Sequence, residues 1–293
     1  MLAISDIRVV TPRTLPEALE LLTDPDTRPL AGATDATVRM KEGQWRPSAW
    51  VNIARLPELR GVAVDAGRVR IGAAEPYGAL LRHPGLQQAA PLLLQAVREI
   101  GSAQIRATGT IGGNLGTASP AGDALPPLYA LEAAVHLAGP GGERTLTLNE
   151  FILGPGKTQR QSGELITAVS FAAQATTELS LWQKLGLRGA QAISLVSLAL
   201  RLRPGAAPRS VARAWAAYGA VGPTVLRARK CEQMLAHAGP LDAASVKGIA
   251  QMAWKEVLPI TDVRASAEYR QNAAVALLRR GLVRLLGDDL AGE

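Results

Sequence analysis

The sequence predicts an α+β chain: two α/β segments, then a three-stranded antiparallel sheet backed by helices. Three observations predict it. Through residues 1–175, short apolar runs broken by Gly, Pro, Asn and Asp alternate with stretches of helical period, as in mixed α/β segments. From Leu181 to Tyr218 the pattern turns to successive strands, and in one of them Val196, Leu198, Leu200 and Leu202 alternate. Beyond Gly222-Pro223 it turns helical almost to the end. A chain of 293 residues suits two or three domains, and the changes of pattern set expected boundaries at 1–57, 58–175 and 176–293.

In the first segment Ile7-Arg8-Val9-Val10 reads as a short strand. Thr14 to Glu17 reads as a capping box, with Pro16 near the start of the helix it opens. Leu15, Leu19 and Leu22 share one face of that helix. Leu30 leads into the small-residue loop Ala31-Gly32-Ala33-Thr34-Asp35, and Trp50-Val51-Asn52-Ile53 is a further strand. The pattern is a βαβ-type unit ending near Leu56.

The second segment opens on a hairpin, Val62-Ala63-Val64 and Val69-Arg70-Ile71 around a turn at Asp65-Ala66-Gly67. Leu93, Ala96, Val97 and Ile100 form a helix face that Gly101 stops. Ala133–Leu137 and Thr145–Leu148 flank a second hairpin turn, and Glu164–Phe171 is strand-like. In the third segment Leu181–Leu185, Ser194–Arg203 and Val211–Tyr218 read as strands, the middle one with one buried face. Val225–Ala236, Ser245–Glu256 and a long run from Ser266 to Leu286 read as helices.

Composition narrows the function classes. The single cysteine, Cys231, excludes an internal disulfide and an iron–sulfur cluster held by this chain. His83, His136 and His237 lack ligand-like spacing, so no metal site is expected. No apolar run reaches membrane-spanning length. Met1 to Val10 has neither a basic region nor a long apolar stretch, which makes the cytoplasm the expected compartment. The net charge of +7 comes wholly from residues 176–293, which carry nine acids and sixteen bases. Without basic runs or a known reader motif, and with only 4% aromatics, nucleic-acid binding is not expected. A solvated basic face, or a docking face for an acidic partner formed by Arg201, Arg203, Arg227, Arg229 and Lys230, is the reading carried forward.

Several motifs fail on their own terms. Gly154-Pro155-Gly156-Lys157-Thr158 imitates a phosphate loop, but Phe151 stands where the pattern needs its first glycine and no strand leads in. It reads as a glycine-rich turn ending a short helix. No Gly-x-Gly-x-x-Gly opens a βαβ unit, no Gly-x-Ser-x-Gly elbow exists, and no catalytic nucleophile can be named. Two stretches remain: Gly32-Ala33-Thr34-Asp35, and Thr110-Ile111-Gly112-Gly113-Asn114 with Ser119-Pro120-Ala121-Gly122-Asp123 behind it. Small residues, hydroxyls and free backbone N–H groups suit a diphosphate. Asp123, which does not belong on a phosphate, suits sugar hydroxyls or a ring N–H. The alternative is a pair of tight packing turns, with Asp35 and Asp123 as helix caps.

These stretches resemble the FAD-binding subunits and domains of molybdenum hydroxylases, the flavoprotein subunits of xanthine, carbon monoxide and aldehyde dehydrogenases. The resemblance rests on Ala31-Gly32-Ala33-Thr34-Asp35, on Ile105-Arg106-Ala107-Thr108-Gly109-Thr110-Ile111-Gly112-Gly113-Asn114, and on Ala118-Ser119-Pro120-Ala121-Gly122-Asp123. Gln183-Lys184-Leu185-Gly186 to Ala192-Ile193-Ser194, and Asp262 to Arg270, extend it over nearly the whole chain. Ala33 replaces the family's usual second glycine, and Gly109 its usual alanine.

The resemblance implies two α/β halves of the molybdopterin-dehydrogenase and vanillyl-alcohol-oxidase-like type sandwiching FAD, with a C-terminal α+β domain. It implies that Ala31, Gly32, Ala33, Thr34 and Asp35 line the diphosphate with Thr110, Ile111, Gly112, Gly113 and Asn114. Asp123 would meet the non-phosphate side, Ile100 and Ile166 would wall the flavin, and Lys184 would set a cation near it. It further implies an electron-transfer subunit in a heterotrimer that dimerises, with a large molybdenum-cofactor subunit, a small [2Fe-2S] subunit and an external acceptor. A stand-alone FAD-dependent oxidoreductase and a cofactor-free scaffold are the alternatives, the latter drawing on Ala33.

Overall fold

The computed structural model describes residues 7–291. Residues 1–6, part of the stretch in which no leader is expected, lie outside it. The chain forms two compact units. The first comprises residues 1–86, 101–118 and 133–173; the second comprises 87–100, 119–132 and 174–293.

In chain order the first elements are β1 (Val9–Val10), α1 (Leu15–Leu21), β2 (Thr27–Leu30), α2 (Ala36–Lys41) and β3 (Ala49–Asn52). They make the expected βαβ-type unit, a parallel sheet in the order β1-β3-β2. Thr14 caps α1 by accepting from the Glu17 N–H at 3.4 Å. The reciprocal half of the expected capping box is displaced by one residue: the Glu17 carboxylate accepts from the Arg13 N–H, at 2.7 Å. Ala18, Leu22, Val51, Ile53, Leu56, Leu59, Ala74 and Leu165 form a core cluster, against which Leu15 and Leu19 pack.

There follow β4 (Val62–Asp65), β5 (Arg68–Gly72), α3 (Tyr77–Arg82), α4 (Pro84–Ala89), α5 (Pro91–Glu99), α6 (Ala103–Thr108), α7 (Ile111–Thr117) and α8 (Leu125–Ala130). Next come β6 (Ala134–Gly139), β7 (Gly142–Thr147), α9 (Leu148–Phe151), β8 (Ile152–Gly154), β9 (Lys157–Thr158) and β10 (Leu165–Ala172). The two expected hairpins join β10 in an antiparallel sheet of order β4-β5-β10-β6-β7. Residues 154–158 are not a turn that merely ends a helix. They close a small β8–β9 hairpin, with Gly156 at φ +69°.

The rest is β11 (Leu179–Gly186), β12 (Ser194–Pro204), β13 (Val211–Gly219), β14 (Leu226–Arg227), α10 (Arg229–His237), α11 (Ala243–Glu256) and α12 (Ala267–Leu286). The three expected strands pair antiparallel, and β14 adds a two-residue fourth at the edge, so the helix expected from Val225 begins only at Arg229. Val196, Leu198, Leu200 and Leu202 are fully buried with Leu235, Val246, Ile249, Leu278 and Leu282 from the last helices. The opposite face of β12 is buried too: Leu195, Ser197, Ala199 and Arg201 are all at most 5% exposed. Helix α8 packs on β12 and β13 there, and α5 on the neighbouring β11.

Candidate cofactor site

In the first unit, the chain leaves β2 at Leu30 and must turn before α2. It passes so close to the end of α6 that a Cβ on Gly32 would lie 1.9 Å from the Thr108 carbonyl oxygen. Only glycine fits. Ala33 then adopts φ +59°, the left-handed region. Among the described residues no acceptor meets the N–H groups of Gly32, Ala33, Thr34 or Asp35. Successive N–H groups around a left-handed residue form a concave anion-binding turn. Asp35 precedes α2 but its side chain does not cap it. The carboxylate instead accepts from Arg39 Nε at 2.9 Å and from Thr117 Oγ1 at 3.2 Å, tying this loop to α7.

The second stretch differs from expectation. Thr110-Ile111-Gly112-Gly113-Asn114 caps and opens α7, and its last three N–H groups are already paired. Thr110 Oγ1 accepts from the Gly113 N–H (3.0 Å), the Thr110 carbonyl from Asn114 (3.1 Å), and the Ala73 carbonyl from Gly112 (2.9 Å). Gly112 is needed for packing, since its Cβ would lie 2.6 Å from the Ala73 Cβ and oxygen. The Ile111 side chain is wholly buried and Ala31 packs on the neighbouring core, so neither offers a side chain to a ligand. Asn114 Oδ1 is buried without a partner among the described residues. Ile166, on β10, is 7% exposed and lies alongside α7 near Gly116.

In the second unit, Asp123 sits on the turn before α8, where Ala124 rather than Asp123 holds the capping position. Its Oδ2 receives Lys184 Nζ at 2.5 Å and its Oδ1 receives Ser194 Oγ at 2.6 Å. The Lys184 and Asp123 side chains are 7% and 10% exposed. Burial pushes the Asp123 carboxyl above its ordinary range, against the pull of Lys184 and Ser194. Glu99, at the end of α5, is held up likewise, first by desolvation, with the Asp123 charge adding to the rise and Lys184 opposing it. Gln95 fixes α5 to β11 by accepting from the Trp182 N–H at 2.8 Å. Ile100, next to Glu99, ends α5 and is half-buried. Lys184 is therefore paired with a buried carboxylate and does not stand as a lone cation.

Of the five residues named for a basic docking face, Arg201 and Arg227 have buried side chains, and Arg203, Arg229 and Lys230 are exposed. Arg201 and Arg203 both grip Glu178, whose side chain has no exposure, and Arg201 stacks 4.2 Å over Trp215. Arg227 and Arg229 grip Glu232. Of the five named residues, Lys230 alone makes no ion pair among the described residues. Two arginines share each of these two carboxylates, so a net positive charge remains at both places.

Residues 5–172 match the FAD binding domain in molybdopterin dehydrogenase, and residues 183–285 match the CO dehydrogenase flavoprotein C-terminal domain. The chain belongs to the FAD-binding flavoprotein family of the molybdopterin dehydrogenases. It is 32% identical over 260 residues to a xanthine dehydrogenase FAD-binding subunit of Escherichia coli O157:H7, covering 88% of each chain. It is 30% identical over 274 residues to the carbon monoxide dehydrogenase medium chain of Hydrogenophaga pseudoflava, covering 92% of this chain and 94% of that one. It superposes on the solved carbon monoxide dehydrogenase of the same organism with a TM-score of 0.91 at 28% identity, covering 98% of both chains.

The residues of this flavoprotein fit the cofactor its family name requires. The unpaired N–H groups of Gly32 to Asp35 match the acceptors of a diphosphate, and the orphaned Asn114 oxygen matches a hydroxyl donor. Sequence reading missed Thr117, Ser194 and Glu99. Ser194 lay inside a matched motif but signalled no role. Glu99 carried no signal, because its place depends on how α5 packs.

Proposed function

We propose that this chain is the FAD-binding electron-transfer subunit of a molybdenum-containing hydroxylase. The observation that carries the reading is the turn at Ala33, with four consecutive N–H groups unpaired among the described residues. We assign the diphosphate to Gly32, Ala33, Thr34 and Asp35 through their backbone. Thr110, Gly112 and Gly113 shape that place by close packing, and Asn114 serves a hydroxyl. Asp123, Lys184, Ile100 and Ile166 are assigned to the ribityl and flavin portions. Bound FAD supplies the capacity to accept electrons and pass them on. The protein's part is to hold it and set its electrostatics.

Partners are a large molybdenum-cofactor subunit and a small [2Fe-2S] subunit, since this chain carries one buried cysteine and cannot hold a cluster. Support for a covered surface comes from the apolar residues left outside. Among the described residues, the five most exposed large apolar side chains are Leu187, Ile193, Leu258, Ile260 and Val263, all in the second unit. Arg270 ties their two segments together, donating to the Leu195 and Ala220 carbonyls and to Asp262. The test is the visible spectrum of the chain expressed alone and with its two partner subunits, with and without added FAD. Yellow protein with stoichiometric FAD is expected. Colourless protein in every combination would refute the reading.

A further inference from the structure

We infer that Ser194 is a positioning residue, holding one oxygen of Asp123 so that the other stays on Lys184 and the two charges cancel. This rests on the assignment of Lys184 to the flavin portion of FAD.

The geometry is specific. Lys184 lies near the end of β11, one residue before the register shift between Leu185 and Gly186. The exposed segment 187–193 then leaves and returns, and Ser194 opens β12. Gly186 lets the two ends close: a Cβ there would lie 2.6 Å from the Ala192 Cβ. Both ends of the segment thus converge on the single carboxylate of Asp123, at 2.5 and 2.6 Å. Ser194 is 1% exposed, so its hydroxyl is shielded from bulk solvent. The turn carrying Asp123 is itself fixed, because the Pro120 carbonyl accepts from the Ala220 N–H at 2.9 Å.

The charged groups facing Asp123 are Lys184 from β11 and Glu99 from α5. Desolvation already raises the Asp123 carboxyl. A hydroxyl donating to a carboxylate stabilises its charged form. Without Ser194, Asp123 protonates at higher pH, and Lys184 is left with an uncancelled positive charge. A positive charge beside a flavin favours its reduction.

The test uses the full-length chain. Carboxyl ¹³C NMR of the FAD-free protein follows the Asp123 titration in Ser194→Ala, Ser194→Thr and the unaltered chain. Ser194→Ala is expected to raise the midpoint by about one to two pH units, while Ser194→Thr, which keeps the hydroxyl, restores it. Should Ser194→Ala fail to fold, Ser194→Cys fills the volume with a weak donor and must shift in the same direction. On the FAD-loaded protein, the flavin reduction potential of Ser194→Ala should rise below the new midpoint, and that of Ser194→Thr should not. An unmoved Asp123 titration in Ser194→Ala, or an equal shift in Ser194→Thr, overturns the inference. A moved titration with an unmoved potential upholds the positioning role and overturns the placing of FAD at Lys184.

Discussion

Replacing Ala33 with glycine separates backbone strain from cofactor chemistry at one position. Ala33 sits at φ +59°, where an L-residue with a Cβ is less stable by about 1–2 kcal/mol. Glycine relieves that strain but adds freedom to the unfolded chain, which offsets about 0.4–1 kcal/mol. The difference predicts that Ala33→Gly stabilises the protein by about 0.5–1 kcal/mol. For a chain of this size that raises the thermal midpoint by roughly 2 °C. The assay is urea unfolding followed by circular dichroism, in which the midpoint should move upward with an unchanged slope. Ala66, at φ +46° in the β4–β5 turn, is the control. Ala66→Gly should stabilise similarly, whereas Ala33→Gly alone should tighten FAD binding. A lower unfolding midpoint for Ala33→Gly would refute the reasoning, since it would mean that the methyl's packing outweighs the strain.

Further outcomes follow from other features. Gly32→Ala forces a methyl into the Thr108 carbonyl at 1.9 Å and should lower stability by about 3 kcal/mol and abolish FAD retention; a urea midpoint within error of the parent would contradict the packing described. Cys231 is fully buried and burial pushes its thiol well up, so the native protein should resist a thiol reagent until it unfolds, and rapid stoichiometric labelling would count against this. Glu164 is held below its ordinary 4.5 by Arg144, which meets it through two hydrogen bonds of 2.7 and 2.9 Å. A depressed carboxyl stabilises the fold above its unfolded value and loses that contribution as the pH falls through its folded value. Stability should therefore decline below about pH 4.5, and Glu164→Gln should flatten the decline when the urea midpoint is followed against pH. Ile260→Asp with Val263→Asp, at 69% and 103% exposure, should leave the isolated chain's thermal midpoint unchanged but prevent co-purification with its partner subunits; an intact complex would remove these segments from the interface.

Much of the fold was legible because local patterns and tertiary burial agree. The alternation in β12 located its inward face, and Ser266 announced α12, capping it by accepting from the Tyr269 N–H at 3.1 Å. The other face of β12 was not legible. Arg201 there looks solvated in sequence, and only Glu178, twenty-three residues earlier in the chain, makes its burial tolerable. The site divides the same way. The glycines at 32 and 112–113 were visible as places where side chains are forbidden. Sequence could not say that the N–H groups of the second set are consumed at home while those of the first are not, because that depends on Ala73 and Thr110 as acceptors. The pairing of Lys184 with Asp123 spans sixty-one residues, and no local periodicity reports such a distance.

The interleaving of the two units bears on how the chain can be made and cut. Helices α5 and α8 belong with strands whose codons come much later, so on the ribosome their apolar residues wait for β11 to β13 to emerge. Leu92, Leu93 and Leu94 would meanwhile stand uncovered, a natural target for holdase chaperones. A stop placed after Ala173 would not release a tidy amino-terminal fragment. It would strand those two helices without their sheet, so truncation should yield aggregates, and gene fission in this region would have to be followed by tight reassociation of the pieces.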